Sequence, residues 1–363
     1  MKTNRILPTL LWAVAGFGSA SLAWAEQTLT VVSFGGSYAR ACVEGYHKAF
    51  TEKTGIRIKL EDYNGGLAQI RAQVDSGSVH WDVVDTESAP LLTGCDEGLF
   101  EYVDDLELPP APDGTPASED FFDGVLTDCG VGTLIYATVI AFNPEFIEGA
   151  LPTSIRDFFD LEKYPGRRGM LRAPATNLEF ALMGDGVPTE KVFEELSTDE
   201  GMRRAFRKLD SIKDHVVWWE TGAQPPQMLA DGEVVMSTAW NGRIFNAQVQ
   251  EKQPFVIIWD SHIRDTGTLA IVAGAPNLEN ARKFVAFATS TQAMVGVAQH
   301  ISYAPVRHSG LPLVGKHAVT GVDMQPHMPT QPENSRNFLW NDVEWWSERQ
   351  DELTERFNAW LSR

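Results

Sequence analysis

Cysteine is scarce in this 363-residue chain: Cys42, Cys95 and Cys129 are the only three, and none has metal-site spacing. Basic charge is also short. Thirty Lys and Arg face 49 Asp and Glu, a formal net charge of −19 that argues against nucleic-acid partners. The chain lacks a Gly-x-Ser-x-Gly elbow, a His-Glu-x-x-His pair and a phosphate loop, and its eight histidines are scattered singly. No catalytic centre, cofactor or resident metal is therefore indicated, and iron binding would want the adjacent Tyr pair that is missing. There is no internal repeat and no low-complexity tract.

What is present at the start is a leader. Lys2 and Arg5 precede a mostly apolar stretch over 6–23, and Ala23-Trp24-Ala25 supplies small residues for cleavage. Residues 1–25 are expected to be a removable signal peptide. Pro8 and two glycines, with no stop-transfer pattern behind them, speak against a spanning anchor. Cys42 is the first cysteine after the leader, too far along for a lipid anchor. The mature protein is expected free in the periplasm. Such a compartment allows one disulfide, for which Cys95 and Cys129, each in loop-like sequence beside a Gly, are the favoured pair; three buried thiols are the competing reading.

The length exceeds what one core holds, so two lobes are expected. Thr28–Ser33 is a β-branched run of strand length, stopped by Phe34-Gly35-Gly36-Ser37-Tyr38 and followed by helical spacing over 39–54. A strand over 56–63, a helix over 67–77 and a strand over 81–85 complete a βαβαβ start with a mainly parallel sheet. The run 134–143 is apolar on both faces, as a strand crossing between lobes would be, and 268–273 is a second candidate crossing behind Asp265-Thr266-Gly267. A separate strand is expected over 255–259. The loop over 106–121, rich in Pro and acid, reads as surface. Residues 342–361 form an amphipathic helix whose Trp345, Trp346 and Trp360 read as packing.

The stretch 236–245 breaks these patterns. A short apolar strand runs into Trp240-Asn241-Gly242-Arg243 before helical spacing begins. An aromatic, an amide, a Gly and an Arg at a strand-to-helix turn occupy the place where open α/β sheets bind small ligands. On the stretch alone, a core Trp and a solvated Arg explain it as well.

In order and spacing the chain resembles the periplasmic substrate-binding proteins of polyamine-type ABC transporters, the spermidine/putrescine-binding family. The carriers are Val-Val-Ser-Phe-Gly-Gly-Ser-Tyr at Val31, Lys-Thr-Gly-Ile-Arg-Ile at Lys53 and Trp-Asp-Val-Val at Trp81. Ala-Thr-Val-Ile-Ala-Phe-Asn at Ala137, Trp-Asn-Gly at Trp240 and Ser-Tyr-Ala-Pro at Ser302 complete them. The resemblance implies an α/β fold of type II-like form: two lobes, each a mainly parallel sheet flanked by helices, closing on a ligand between them. Lobe 1 is expected to comprise 26–138 and 268–310, and lobe 2 139–267 and 311–363, with hinges near 137–141 and 265–269. It also implies a monomer that delivers its solute to the membrane permease of an ABC importer.

The departures narrow the ligand. Polyamine binders of the family pair ammonium groups with carboxylates in the first loop and at the start of the second lobe. Here those places hold Ser37 and Tyr38, and Arg172 and Thr176. Arg243 follows Trp-Asn-Gly where polyamine binders carry a small residue. That pattern is closer to the family's relatives for 4-aminobutyrate-like amino acids: Arg for a carboxylate, Asp265 for an ammonium. Phe34, Tyr38, Trp219, Trp240 and Tyr303 are the candidate aromatic walls. Thr86, Glu87, Arg172 and Thr221 complete the expected ligand set. Arg172 could equally be an ion pair at a strand end and Asp265 a hinge cap. A polyamine receptor using Asp85, Glu87 and Asp265, and an aminoalkylphosphonate receptor using Arg243, are the competing ligand classes.

Overall fold

The computed structural model describes residues 27–363; the expected signal peptide lies outside them. One ten-stranded mixed sheet runs through the molecule. β1 (Thr28–Ser33), β2 (Arg57–Asp62) and β3 (Val83–Glu87) form a parallel triplet in the order β2-β1-β3. The remaining strands are β4 (Gly130–Phe142), β5 (Arg168–Leu171), β6 (Val216–Trp219), β7 (Met236–Trp240), β8 (Val256–Ile271), β9 (Ala304–Pro305) and β10 (Phe338–Trp340). β7-β5-β6 make a second parallel triplet.

Between the triplets lie the two long strands. β4 has 13 residues and β8 has 16, paired antiparallel from Gly130↔Ala270 to Phe142↔Val256. The two expected runs 255–259 and 268–273 are therefore one strand. Its polar middle, Arg264-Asp265-Thr266-Gly267, looks like a turn in the sequence, but the backbone there pairs with β4 and Asp265 finds half-buried partners in Ser88 and Asn341. β4 starts earlier than expected, at Gly130, where a Cβ would press on Leu91 at 2.8 Å. The expected crossings thus belong to a continuous central ribbon.

β3 lies antiparallel to the far half of β8, ending at Glu87↔Gly267. β7 lies antiparallel to the far half of β4, ending at Trp240↔Thr138. The carboxyl ends of the two triplets consequently point at each other over the middle of the ribbon, and the loops that leave them line one cleft.

Each half has its own core. One cluster gathers Leu29, Val31, Phe50, Ile135, Phe284 and Tyr303; another gathers Ile140, Phe158, Met170, Phe180, Trp346 and Phe357. Val314, Met324 and Met328 pack in the first of these, although the expected boundary puts residues 311–363 in the other lobe. The helix Asn241–Val249 is wedged between halves: Phe245 and Val249 pack with the Val31 cluster, Ile244 and Ala247 with Trp219 and Ala239.

The acidic loop is largely exposed, but its end is pinned. Asp120 accepts from buried Arg307 at 3.1 Å and from the hydroxyl of Ser309 at 2.7 Å. Cys95 and Cys129 form a disulfide with Cα atoms 5.8 Å apart, and Cys42 is a buried free thiol. The bond closes a sequence separation of 34 residues, for which loop-closure entropy gives about 3–4 kcal/mol. Reducing it, or a Cys95→Ala/Cys129→Ala double variant, is expected to lower the melting temperature by several degrees in calorimetry, without changing the circular dichroism of the folded state.

Candidate functional site

The turn after β7 builds the site. Asn241, fully buried, accepts from the Ala137 backbone N–H of β4 at 2.9 Å and donates to the Ser302 carbonyl at 2.6 Å. It ties the ribbon to the Ser-Tyr-Ala-Pro loop. Gly242 then lies against that loop: a Cβ there would meet the Tyr303 ring at 2.6 Å. Gly222 does the same for Trp240, whose ring would be 2.4 Å from an added Cβ.

Arg243 follows and is only 3 % exposed, not a solvated first-turn residue. It donates from Nη1 to the Gly35 carbonyl at 2.8 Å and the Ser37 hydroxyl at 3.3 Å, and from Nη2 to the Phe34 carbonyl at 3.0 Å. Those carbonyls are presented by Gly35 and Gly36, at φ +62 and +59, values that suit glycine. No carboxylate pairs with the guanidinium among the described residues, and its Nε has no partner. The positive charge is held by dipoles, with no carboxylate hydrogen-bonded to it.

Around it stand rings in perpendicular or tilted contact. Phe34 meets Trp240 at 5.7 Å between centroids, Trp240 meets Tyr136 at 6.4 Å, Tyr136 meets Tyr303 at 6.1 Å, and Tyr303 meets Tyr38 at 5.6 Å. These five rings, with Leu134, Gly267, Asp85, Glu87 and Arg243, enclose a cavity of about 350 Å³ free of protein atoms, part of it open to solvent.

Two acids share this cavity. They sit two apart on β3, so they lie on one face of the strand, and Thr86 between them does not line the cavity. Thr86 is fully buried and its carbonyl accepts from Thr268. Asp85 is buried; loss of water pushes its carboxyl up to about 7, opposed by the hydroxyls of Tyr38 and Ser33 and the charge of Arg243. Glu87 is half-buried and pushed up to about 8, by burial first and then by the carboxylates of Asp265 and Asp85. No described residue donates a hydrogen bond to its carboxylate. Asp265 differs. Burial raises it to about 6, but Ser88 Oγ (2.7 Å), the Thr266 N–H (2.7 Å) and Asn341 Nδ2 (2.9 Å) already donate to it.

The remaining expected residues fall elsewhere. Trp219 is fully buried behind Trp240, 5.6 Å between centroids, with Nε1 donating to Thr238. It props the wall and does not form it. Thr221 lines neither this cavity nor the wider cleft; its N–H donates to Gln224. Arg172 is half exposed and paired with Glu220 at 3.1 Å, the strand-end ion pair that the sequence left open. Tyr136 and Leu134 are the lining residues the sequence reading passed over. Both lie on the apolar run identified as a crossing, two apart and hence on one face, which is the signal that was there to use.

The family model for bacterial extracellular solute-binding proteins matches residues 45–330. A curated gamma-aminobutyric acid-binding protein of Pseudomonas aeruginosa is 42 % identical over 349 residues, 96 % of this chain and 95 % of that protein. A spermidine/putrescine-binding periplasmic protein of Escherichia coli is 23 % identical over 308 residues, 82 % of this chain and 83 % of that one. Among solved structures, the PBP MotA of A. tumefaciens B6, in complex with glucopine, superposes with a TM-score of 0.84 at 28 % identity, covering 92 % of this chain and 100 % of that one. A solved GABA receptor gives 0.77 at 30 %, covering 92 % and 98 %.

A carboxyl raised from 4.5 to about 8 keeps its proton in the folded protein after the unfolded chain has lost it. Its contribution to stability therefore declines as pH rises from about 4.5 and is fully lost by about 8. Glu87→Gln is expected to raise the melting temperature of the ligand-free protein at pH 8, with a gain that shrinks towards pH 5. Scanning calorimetry across that range checks it.

Proposed function

We propose, from the premise that this chain belongs to the family of bacterial extracellular solute-binding proteins, that its ligand is an ω-amino acid of the 4-aminobutyrate class. The chain is a solute-binding protein and not an enzyme. Among the described residues no helix is long and apolar enough to cross a membrane. The family and the leader-like N-terminus support a periplasmic receptor that works as a monomer and hands its solute to the permease of an ABC importer.

One observation carries the ligand assignment. An Arg without an acid partner and a Glu without a donor line the same small aromatic cavity. A carboxylate stripped of water needs a fixed cation, and Arg243 offers one that no protein acid hydrogen-bonds, although Asp85 lies near enough to feel its charge. An ammonium needs a carboxylate, and Glu87 has no other partner, whereas Asp265 is already satisfied. Glu87 therefore takes the role expected of Asp265. The rings wall the methylene chain and present π-faces to the ammonium. The curated relative's name, gamma-aminobutyric acid-binding protein, agrees with this chemistry.

A diamine is the second reading, favoured by the crowding of Asp85, Glu87 and Asp265. An aminoalkylphosphonate would also suit Arg243. Titration calorimetry with 4-aminobutyrate, putrescine and 2-aminoethylphosphonate separates the three. We expect 4-aminobutyrate to bind, Arg243→Ala and Glu87→Gln each to cost about 2–5 kcal/mol, and Arg243→Lys to lose less. Putrescine binding that survives Arg243→Ala would overturn the assignment. Because ligand ammonium stabilises ionised Glu87, capture expels a proton. Affinity should strengthen from pH 6 towards 8, by at most about tenfold per unit, and flatten above.

A further inference from the structure

The cavity adjoins a second, wider chamber of the same cleft, about 1560 Å³ counting the space open to solvent, and the residues lining both mark the neck between them. Glu87, Tyr136 and Trp240 line both chambers, whereas Arg243, Tyr38 and Asp85 line only the inner one. This gives the ligand a direction. With its carboxylate on Arg243 it lies in the inner chamber, and its ammonium on Glu87 sits in the neck. The ammonium's outward N–H then faces the second chamber.

The outer chamber is lined largely by amides and hydroxyls, and its charged groups are either paired, hydrogen-bonded within the protein or shared with the inner cavity. Asn64 and Thr176 face it from two sides of the cleft, and Asn341, Gln350 and Asn358 come from the segment that ends in the helix Val343–Leu361. Its one Arg, Arg172, is already paired with Glu220, and its Asp265 already accepts from Ser88, the Thr266 N–H and Asn341. The hydroxyl of Thr176 is buried without a partner, on a backbone at φ 67 that a threonine seldom adopts. Amides and hydroxyls of this kind recognise hydroxyl and amide groups, not a second ammonium.

We propose that the protein also takes ω-amino acids whose amine carries a polar, uncharged substituent: secondary amines of the form carboxylate, methylene chain, NH₂⁺, hydroxylated or amide-bearing arm. Glu87 reads the NH₂⁺ at the neck, Arg243 reads the carboxylate, and the arm occupies the outer chamber. A secondary ammonium retains two N–H donors, enough for Glu87. This rests on the amino-acid reading of the inner cavity.

Titration calorimetry on the mature protein with 4-aminobutyrate and N-(2-hydroxyethyl)-4-aminobutyrate tests it, with the wild type, Ala175→Trp and Thr354→Trp. Ala175 and Thr354 border the outer chamber from opposite elements, and Thr354 is exposed, so that variant is safe for folding. The expected result is that the substituted ligand binds within about tenfold of the parent. Either Trp should weaken it by tenfold or more and leave 4-aminobutyrate within about twofold. If 4-aminobutyrate binds and the substituted amine does not, the neck is closed to substituents and the proposal falls alone. Equal weakening of both ligands by Trp also overturns it, because the arm then gains nothing from the outer chamber. If neither ligand binds, the amino-acid reading of the inner cavity falls, and the proposal with it.

Discussion

The pairing of β4 with β8 is the constraint on which the cleft depends. Their antiparallel ladder, broken by two register shifts, carries a parallel triplet on each side, one joined through β3 and the other through β7. Because both triplets dock antiparallel to the ribbon's halves, their carboxyl ends converge and the loops that leave them are forced into one space. Tyr136 and Gly267 come from the ribbon itself, Glu87 and Trp240 from the converging ends. The site is thus a product of strand direction before it is a product of side chains.

Charge is arranged with the same economy. Asp120 faces buried Arg307, and Asp265 is satisfied by a serine, a backbone N–H and an amide. Arg243 and Glu87 depart from this practice: one is held by carbonyls that cancel no charge, the other by nothing. An unpaired cation at a buried site costs stability, as would the ionised form of Glu87, and such a cost persists where binding repays it. Burial raises all three acids, and Glu87 is raised further by Asp265 and Asp85, which is how a carboxyl comes to hold a proton near neutrality.

Much of this was legible in the sequence. The strand-turn-helix start showed the α/β sheet, the unusually apolar run 134–143 showed most of β4, and the Trp-Asn-Gly-Arg turn marked the strand end that carries Arg243. Cys95 and Cys129 were the favoured pair, and they are bonded. What failed to show was partnership. Asp265 and Glu87 look alike in a sequence; that one is saturated and the other bare depends on Ser88 and Asn341 arriving from distant segments. Trp219 and Trp240 are likewise both tryptophans at strand ends, and only packing decides which faces the cavity. The long strand β8 was divided in two because Asp265-Thr266-Gly267 has turn composition, and a polar run within a strand is recognisable only once its neighbours are known.

A pair of hydrogen-bonded strands resists sliding, since slippage by one residue would break the whole ladder, but it bends with little cost across its plane. The ladder here is irregular at Thr138/Ile140, beneath the cleft, where the register shifts. The ladder ties the two halves together on either side of this shift, so the backbone pairing that spans them is thinnest directly beneath the cleft. A side chain or ligand placed there lies against the weakest part of the join.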